Sequence, residues 1–274
     1  MAWLTRGVAL NLGFSAAAFA LFAVTNRGYA VSLRDVQYFN GWVLAGCIFV
    51  MLLLTIRKRL VILPLGRVRR WLQLHYYLGF ATIGVFLVHT RYRLPDSPPE
   101  WLLWGLFVGV AVSGVIGGLL SKRIPPQLEA RGERILFERI PVFRAQLADE
   151  AEALALTSVK AGDAVSLTQL YKRSLAEYFA RPRNILAHLQ GSTVPLTRIL
   201  GELDSIERYL DETEKHRLAT MRDLVVAKNN LDFHHANGGL LKLWLFFHIP
   251  PTYALIIAIV VHVLAGYAFS TGIA

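Results

Sequence analysis

Apolar residues along this chain come in long runs. Positions 7–24, 40–56, 71–91, 101–120 and 243–268 are almost continuously apolar, and charged or turn-forming residues separate one run from the next. A hydrocarbon core about 30 Å thick needs roughly 20 apolar residues in a helix, so the pattern predicts about five transmembrane helices. The second run is short on that count and has to borrow its flanks. The first has Arg6 ahead of it and small residues near Ala18 and Ala20, as a secretion signal would; it is read here as a membrane helix. After the fourth run the pattern changes. Residues 122–242 mix charge with spaced apolar positions, and Leu203, Ile206, Leu210, Met221, Leu224 and Val225 fall roughly at helical spacing. Two to four helices are expected there, one of them long, from about 196 to 232, with breaks near 161–165, 181–184 and 191–195. Nothing reads as a sheet. The expected fold is an all-α membrane protein with helices one to four in 1–121, a helical cytoplasmic insert in 122–242 and helix five in 243–274.

Composition agrees with this. The chain is 54% hydrophobic and 18% charged, where a soluble domain has about a quarter of its residues charged. Charge then suggests an orientation. The loop "RKRLVILPLGRVRR" (57–70) holds Arg57, Lys58, Arg59, Arg67, Arg69 and Arg70 and no acid, whereas the loops near 25–39 and 92–100 carry Asp35, Asp96 and Glu100. Basic short loops stay in the cytoplasm. That puts the N-terminus and the insert inside and the C-terminus outside, as in a bacterial inner-membrane protein. The net charge of +10 restates this topology and an affinity for anionic membrane lipid; no motif points to nucleic acid.

Two of the apolar runs carry histidines, which lipid accommodates poorly. "LHYYLGFATIGVFLVHTR" contains His75 and His89, and "FFHIPPTYALIIAIVVHVLAGY" contains His248 and His262, both pairs fourteen positions apart. A helix turns about 100° and rises about 1.5 Å per residue, so each pair shares nearly one face and stands about 21 Å apart along the axis. If helices three and five are parallel, His75 comes level with His248 on the cytoplasmic side, and His89 with His262 on the outer side. A hydrogen bond between helices or a proton relay would account for one such histidine. Two matched pairs point to a cofactor. Zinc wants four ligands, but haem brings four equatorial nitrogens and needs only axial ones. Gly79 and Gly84 on helix three, and Gly105, Gly109, Gly114, Gly117 and Gly118 on helix four, leave room either for flat macrocycles or for close helix packing. Arg91 and Arg93 outside, and Arg69, Arg70 and Lys242 inside, are candidate propionate partners or residues that snorkel to the membrane surface.

Cys47 is the one cysteine. A single cysteine excludes an internal disulfide, a C-x-x-C-H haem attachment and a four-cysteine iron–sulfur site within this chain. Any haem is therefore non-covalent. No catalytic triad or intramembrane carboxylate pair is apparent, so the chemistry is expected to be the cofactor's.

The two His-x13-His helices resemble those of dihaem b-type cytochromes. One such relative is the cytochrome b of quinol-oxidising bc complexes. Another is the ferric reductase-like membrane domain, also found in NADPH oxidases, where the ligands lie on the third and fifth helices. The string "LHYYLGFATIGVFLVH" is similar to that pattern. The resemblance implies His75, His89, His248 and His262 as axial ligands of two haem b groups. It also implies electron relay across the bilayer between a quinone pool or partner subunit and a second redox partner, such as a cytochrome c or an iron–sulfur protein. Some features depart from those families. The expected helices number five rather than six, no G-x-G-x-x-G follows a strand, and the chain ends at Ala274 directly after the last run. It is therefore expected to lack flavin and nicotinamide domains and to work as a subunit. Pro250 and Pro251, next to His248, are expected to kink or start helix five. "DFHHANGG" (232–239) reads as a polar linker with a sharp re-entry, or as a quinone or partner site using His234 and His235. Two other readings stand beside the relay: a quinol- or metal-reductase-like subunit acting at a haem face, and a non-redox scaffold or proton-coupled transporter.

Overall fold

The computed structural model describes residues 17, 20–32, 35–59, 67–131, 136–160 and 167–270. Most of the expected first helix lies outside them, as does the expected break at 161–165. Among the described residues every regular element is helical. After α1 (20–31) come α2 (Val36–Arg59), α3 (Val68–His89) and α4 (Pro98–Glu129). These three and the last helix are long and apolar enough to cross a membrane.

The second helix borrows flanking residues on both sides of its apolar run, as expected. It runs 24 residues, because Asp35 starts it early: its Oδ1 accepts the N–H groups of Gln37 (2.8 Å) and Tyr38 (3.4 Å), satisfying donors that a helix start leaves bare. Helix α3 ends in a Schellman turn. The N–H of Arg91 donates to the Val88 carbonyl (3.1 Å) and that of Tyr92 to Leu87 (3.0 Å). Arg91 (φ 53°) and Tyr92 (φ 57°) occupy left-handed positions that glycine usually takes.

The chain divides into two compact units, Met1–Gly118 with Phe247–Ala274, and Leu119–Phe246. In the first, Leu44 and Ile48 of α2, Val85 and Phe86 of α3, Phe107 of α4 and Leu255 of the last helix form the core. Phe86 and Phe107 stack at 3.9 Å. Large apolar side chains also point outward, among them Phe49, Val112, Ile257 and Leu264. Apolar side chains thus both fill the contacts between these helices and cover their outside, as suits helices long and apolar enough to cross a membrane.

The second unit holds α5 (Ile140–Lys160), α6 (Leu167–Leu170), a π-turn (Tyr171–Leu175), α7 (Ala176–Ala180), α8 (Ile185–Gln190), α9 (Val194–Glu207) and the first part of α10 (Glu212–Ser270). Leu175, Phe179, Leu203, Leu218, Met221 and Val225 are its buried centre. The long helix expected from 196 to 232 is two helices. It breaks at 208–211, where the Asp211 carboxylate accepts the Glu214 N–H (2.7 Å) and starts α10.

Helix α10 continues without interruption through "DFHHANGG" and through Pro250 and Pro251. The expected linker is thus helix interior, with Phe233, His234, Ala236 and Asn237 buried. Gly238 and Gly239 make a close approach rather than a turn. A Cβ on Gly238 would stand 3.0 Å from the Phe137 ring, and one on Gly239 would stand 3.9 Å from it. The 181–184 break is held by a buried ion pair one turn along α10. Asp232 pairs with Lys228 and accepts the Arg183 N–H (3.1 Å), while Lys228 donates to the Arg181 carbonyl (3.0 Å) and lies 4.0 Å over the Tyr178 ring.

Candidate functional site: two facing histidine pairs

All four intramembrane histidines belong to the first unit, two on α3 and two on the C-terminal part of α10. His75 faces His248, with ring centres 6.4 Å apart and planes at 75°. His89 faces His262 at 6.5 Å and 85°. Since His75 meets His248 and His89 meets His262, α3 and this part of α10 run parallel, and the proline pair does not throw the two histidines out of phase. The separations can be compared with what shared axial ligation requires. A metal–imidazole bond is about 2.0 Å and the ring centre lies about 1.1 Å beyond the nitrogen, so two rings on opposite sides of one metal have centres about 6.2 Å apart.

The ring orientations are set by neighbouring helices. His75 Nδ1 lies 3.3 Å from the Met51 carbonyl and His89 Nδ1 lies 3.2 Å from the Gln37 carbonyl, both on α2. A carbonyl only accepts, so Nδ1 carries the proton in each and the lone pair sits on Nε2, the arrangement of a metal-ligating histidine. His248 Nδ1 is held by the Ser113 hydroxyl of α4 at 2.7 Å. None of these three partners was foreseen from sequence. Two are backbone atoms with no side-chain signature, and Ser113 reads as one more small helix residue.

Glycines give the rings room, but only some of those expected do so. A Cβ at Gly114 would stand 3.7 Å from His248 Cε1, and one at Gly118 would overlap the Tyr76 ring. Gly79 meets only the Met51 sulfur at 3.8 Å, and Gly105 and Gly109 meet nothing within 4 Å. Gly41, not among those expected, also makes a close approach: a Cβ there would lie 3.1 Å from His89 Cε1. Between the two histidine pairs, Thr82 and Leu255 sit seven residues from each histidine of their own helix and are 3% exposed.

A cavity of about 480 Å³ adjoins the His89/His262 pair, lined by Gly41, Leu44, Phe86 and Phe107 and rimmed by Asp35, Arg91, Arg93, Asp96 and Glu100. Its size is that of a cofactor pocket. Beside it the Tyr38 hydroxyl donates to the Gly266 carbonyl and the Trp42 indole N–H to the Tyr267 hydroxyl, both at 3.2 Å, tying α2 to α10. Arg91 therefore lies with the histidines. Arg70 is exposed on the first turn of α3. Lys242 belongs to the other unit, where it pairs with Glu138 at 2.5 Å and covers the Phe137 ring. His235 stacks on the same ring at 5.3 Å, and His188 packs edge-on to Phe233.

Among the described residues no three His, Cys, Asp or Glu side chains gather around a point that could hold a metal ion. Each facing pair brings two imidazoles together, a donor set suited to a group that brings its other ligands with it. Compared with protein-family models, curated proteins and solved structures, the chain matches none.

Proposed function

We propose that this chain is a dihaem b-type membrane cytochrome that relays electrons across a bilayer. One observation carries the reading: both histidine pairs face each other at a ring separation, 6.4 and 6.5 Å, close to what two imidazoles holding one metal ion between them would have. His75 with His248 would hold one haem b, and His89 with His262 the other. Bound there, haem supplies one-electron redox chemistry.

The chain's own residues do the rest. The α2 carbonyls of Met51 and Gln37 fix the rings of α3, and Ser113 fixes that of His248. Thr82, Leu255 and the stacked Phe86 and Phe107 keep water out of the span between the sites. Arg91 and Arg93, at the cavity rim, are the cationic partners that carboxylates of a bound macrocycle require. The basic 57–70 loop puts the His75/His248 site near the cytoplasmic face. A quinol or a partner subunit is the electron donor at one face, and a cytochrome c or iron–sulfur protein is the acceptor at the other.

Pyridine haemochrome analysis of the gently purified protein tests this. Two non-covalent b haems per chain are expected. A colourless folded protein would leave the scaffold or transporter reading, and one haem, or a covalent one, would break the argument from paired spacing. Reduction by quinol analogues, together with identification of co-purifying subunits, distinguishes a relay from an enzyme acting at a haem face.

A further inference from the structure

We propose that Ser113 is a positioning residue that sets the His75/His248 site apart from the other in redox potential. The inference rests on the dihaem reading and deepens it.

His75 and His89 are oriented by backbone carbonyls. His248 has a side-chain partner, and the number of protons on that partner decides what it does. The Ser113 hydroxyl lies 2.8 Å from the Val110 carbonyl and 2.7 Å from His248 Nδ1. A hydroxyl has one proton and two lone pairs. Donation back to the carbonyl of the preceding turn is the habitual bond of a serine inside a helix. With its proton on Val110, Ser113 presents a lone pair to His248. Nδ1 then carries the ring proton, and Nε2 faces the site as a ligand.

The result is a short chain, His248 Nδ1–H to Ser113 O–H to the Val110 carbonyl, in which each bond polarises the next. Two neighbours hold it in register. Gly114 lets the α4 backbone come close to the ring, and the Thr252 hydroxyl donates to the His248 carbonyl at 2.6 Å. A hydrogen bond accepted from Nδ1–H makes the imidazole more basic, which would favour the oxidised state of a haem bound there. Removing the acceptor weakens that push, so the potential of the haem bound at this site rises.

The test compares wild type with Ser113→Thr, which keeps the hydroxyl, and with Ser113→Val, which has nearly the same shape without it. Haem content is measured first, and each haem is then titrated potentiometrically by visible and EPR spectroscopy. One net hydrogen bond of about 0.5–1.5 kcal/mol corresponds to about a 2- to 10-fold change in the reduction equilibrium. Ser113→Val is expected to shift the reduction equilibrium of one haem by that factor, raising its midpoint, and to alter one of two low-spin signals, while Ser113→Thr matches wild type. The altered signal is expected to be missing from His75→Ala. Two haems with unchanged midpoints and signals in Ser113→Val would overturn the role of Ser113 and leave the dihaem reading intact; so would a shift that Ser113→Thr shares. A wild-type protein without haem would instead remove the reading on which the inference rests.

Discussion

Gly41 shows how much one missing methyl group can decide. A Cβ there would already stand 3.1 Å from the His89 ring, and a branched side chain has nowhere to go without pushing the ring. Gly41→Val is expected to lose one of two haems while the protein stays folded, read as the haem-to-chain ratio beside an unchanged circular dichroism spectrum. Arg91 makes the opposite exchange. It holds a left-handed conformation at the end of α3, which costs a residue with a Cβ about 1 kcal/mol. It does so at the cavity rim. Arg91→Gly is expected to raise the melting temperature of the apoprotein and to weaken retention of haem at the His89/His262 site; a variant that is both less stable and fully loaded would contradict this. In the second unit, burial pushes the His188 imidazole below its ordinary value of 6.5, with the Asp232 carboxylate partly opposing. The unfolded chain therefore takes up a proton first as pH falls. Stability of that unit holds above about pH 6.5 and declines below it, until the folded form also protonates. Hydrogen exchange of the 185–190 region at pH 7.5 and 5.5 is expected to show this decline, and His188→Phe to flatten it.

At the scale of the element, α10 carries the most information. Glycine inside a helix costs about 0.5–1 kcal/mol relative to alanine, and proline about 3 kcal/mol. Gly238, Gly239, Pro250 and Pro251 nonetheless lie within one helix, because packing outweighs local propensity. The adjacent glycines give a direct check. A methyl on Gly239 makes an ordinary contact with Phe137, whereas one on Gly238 is too close to it. Gly239→Ala is expected to stabilise the protein by about 0.5–1 kcal/mol, and Gly238→Ala to destabilise it by about 1 kcal/mol. Equal losses for both in thermal unfolding would indicate a turn at this point rather than a continuous helix.

For the whole molecule, the parallel run of α3 against the end of α10 makes the four histidines two sites rather than four. His75→Ala and His248→Ala are expected to delete the same spectroscopic haem, and His89→Ala and His262→Ala the other. Crossed pairs, with His75→Ala matching His262→Ala, would contradict the parallel arrangement. The two units differ in what they do with polar groups. The first turns apolar side chains outward and uses its polar atoms to orient rings. The second uses them to hold its fold, burying the Lys228–Asp232 ion pair against the 181–184 break.

Much of this was legible in the one-dimensional pattern, because length and periodicity are local properties. Runs of apolar residues marked the long helices, and a spacing of fourteen placed each histidine pair on one helix face whatever surrounded it. The pattern erred where local chemistry is ambiguous. "DFHHANGG" has the composition of a turn and the conformation of a helix, and the 196–232 periodicity passes over a break that Asp211 makes with a single hydrogen bond. The pairing of the histidines followed from the expected parallel helices, but what holds each ring depended on the tertiary structure. The partners of His75 and His89 are carbonyls common to every residue, Gly41 matters only because His89 stands beside it, and a serine becomes distinctive only when another helix brings an imidazole to 2.7 Å from its oxygen. Helix geometry acts within a few residues and can be read along a chain, but contacts between helices join positions from 24 to 228 residues apart, and only packing brings those together.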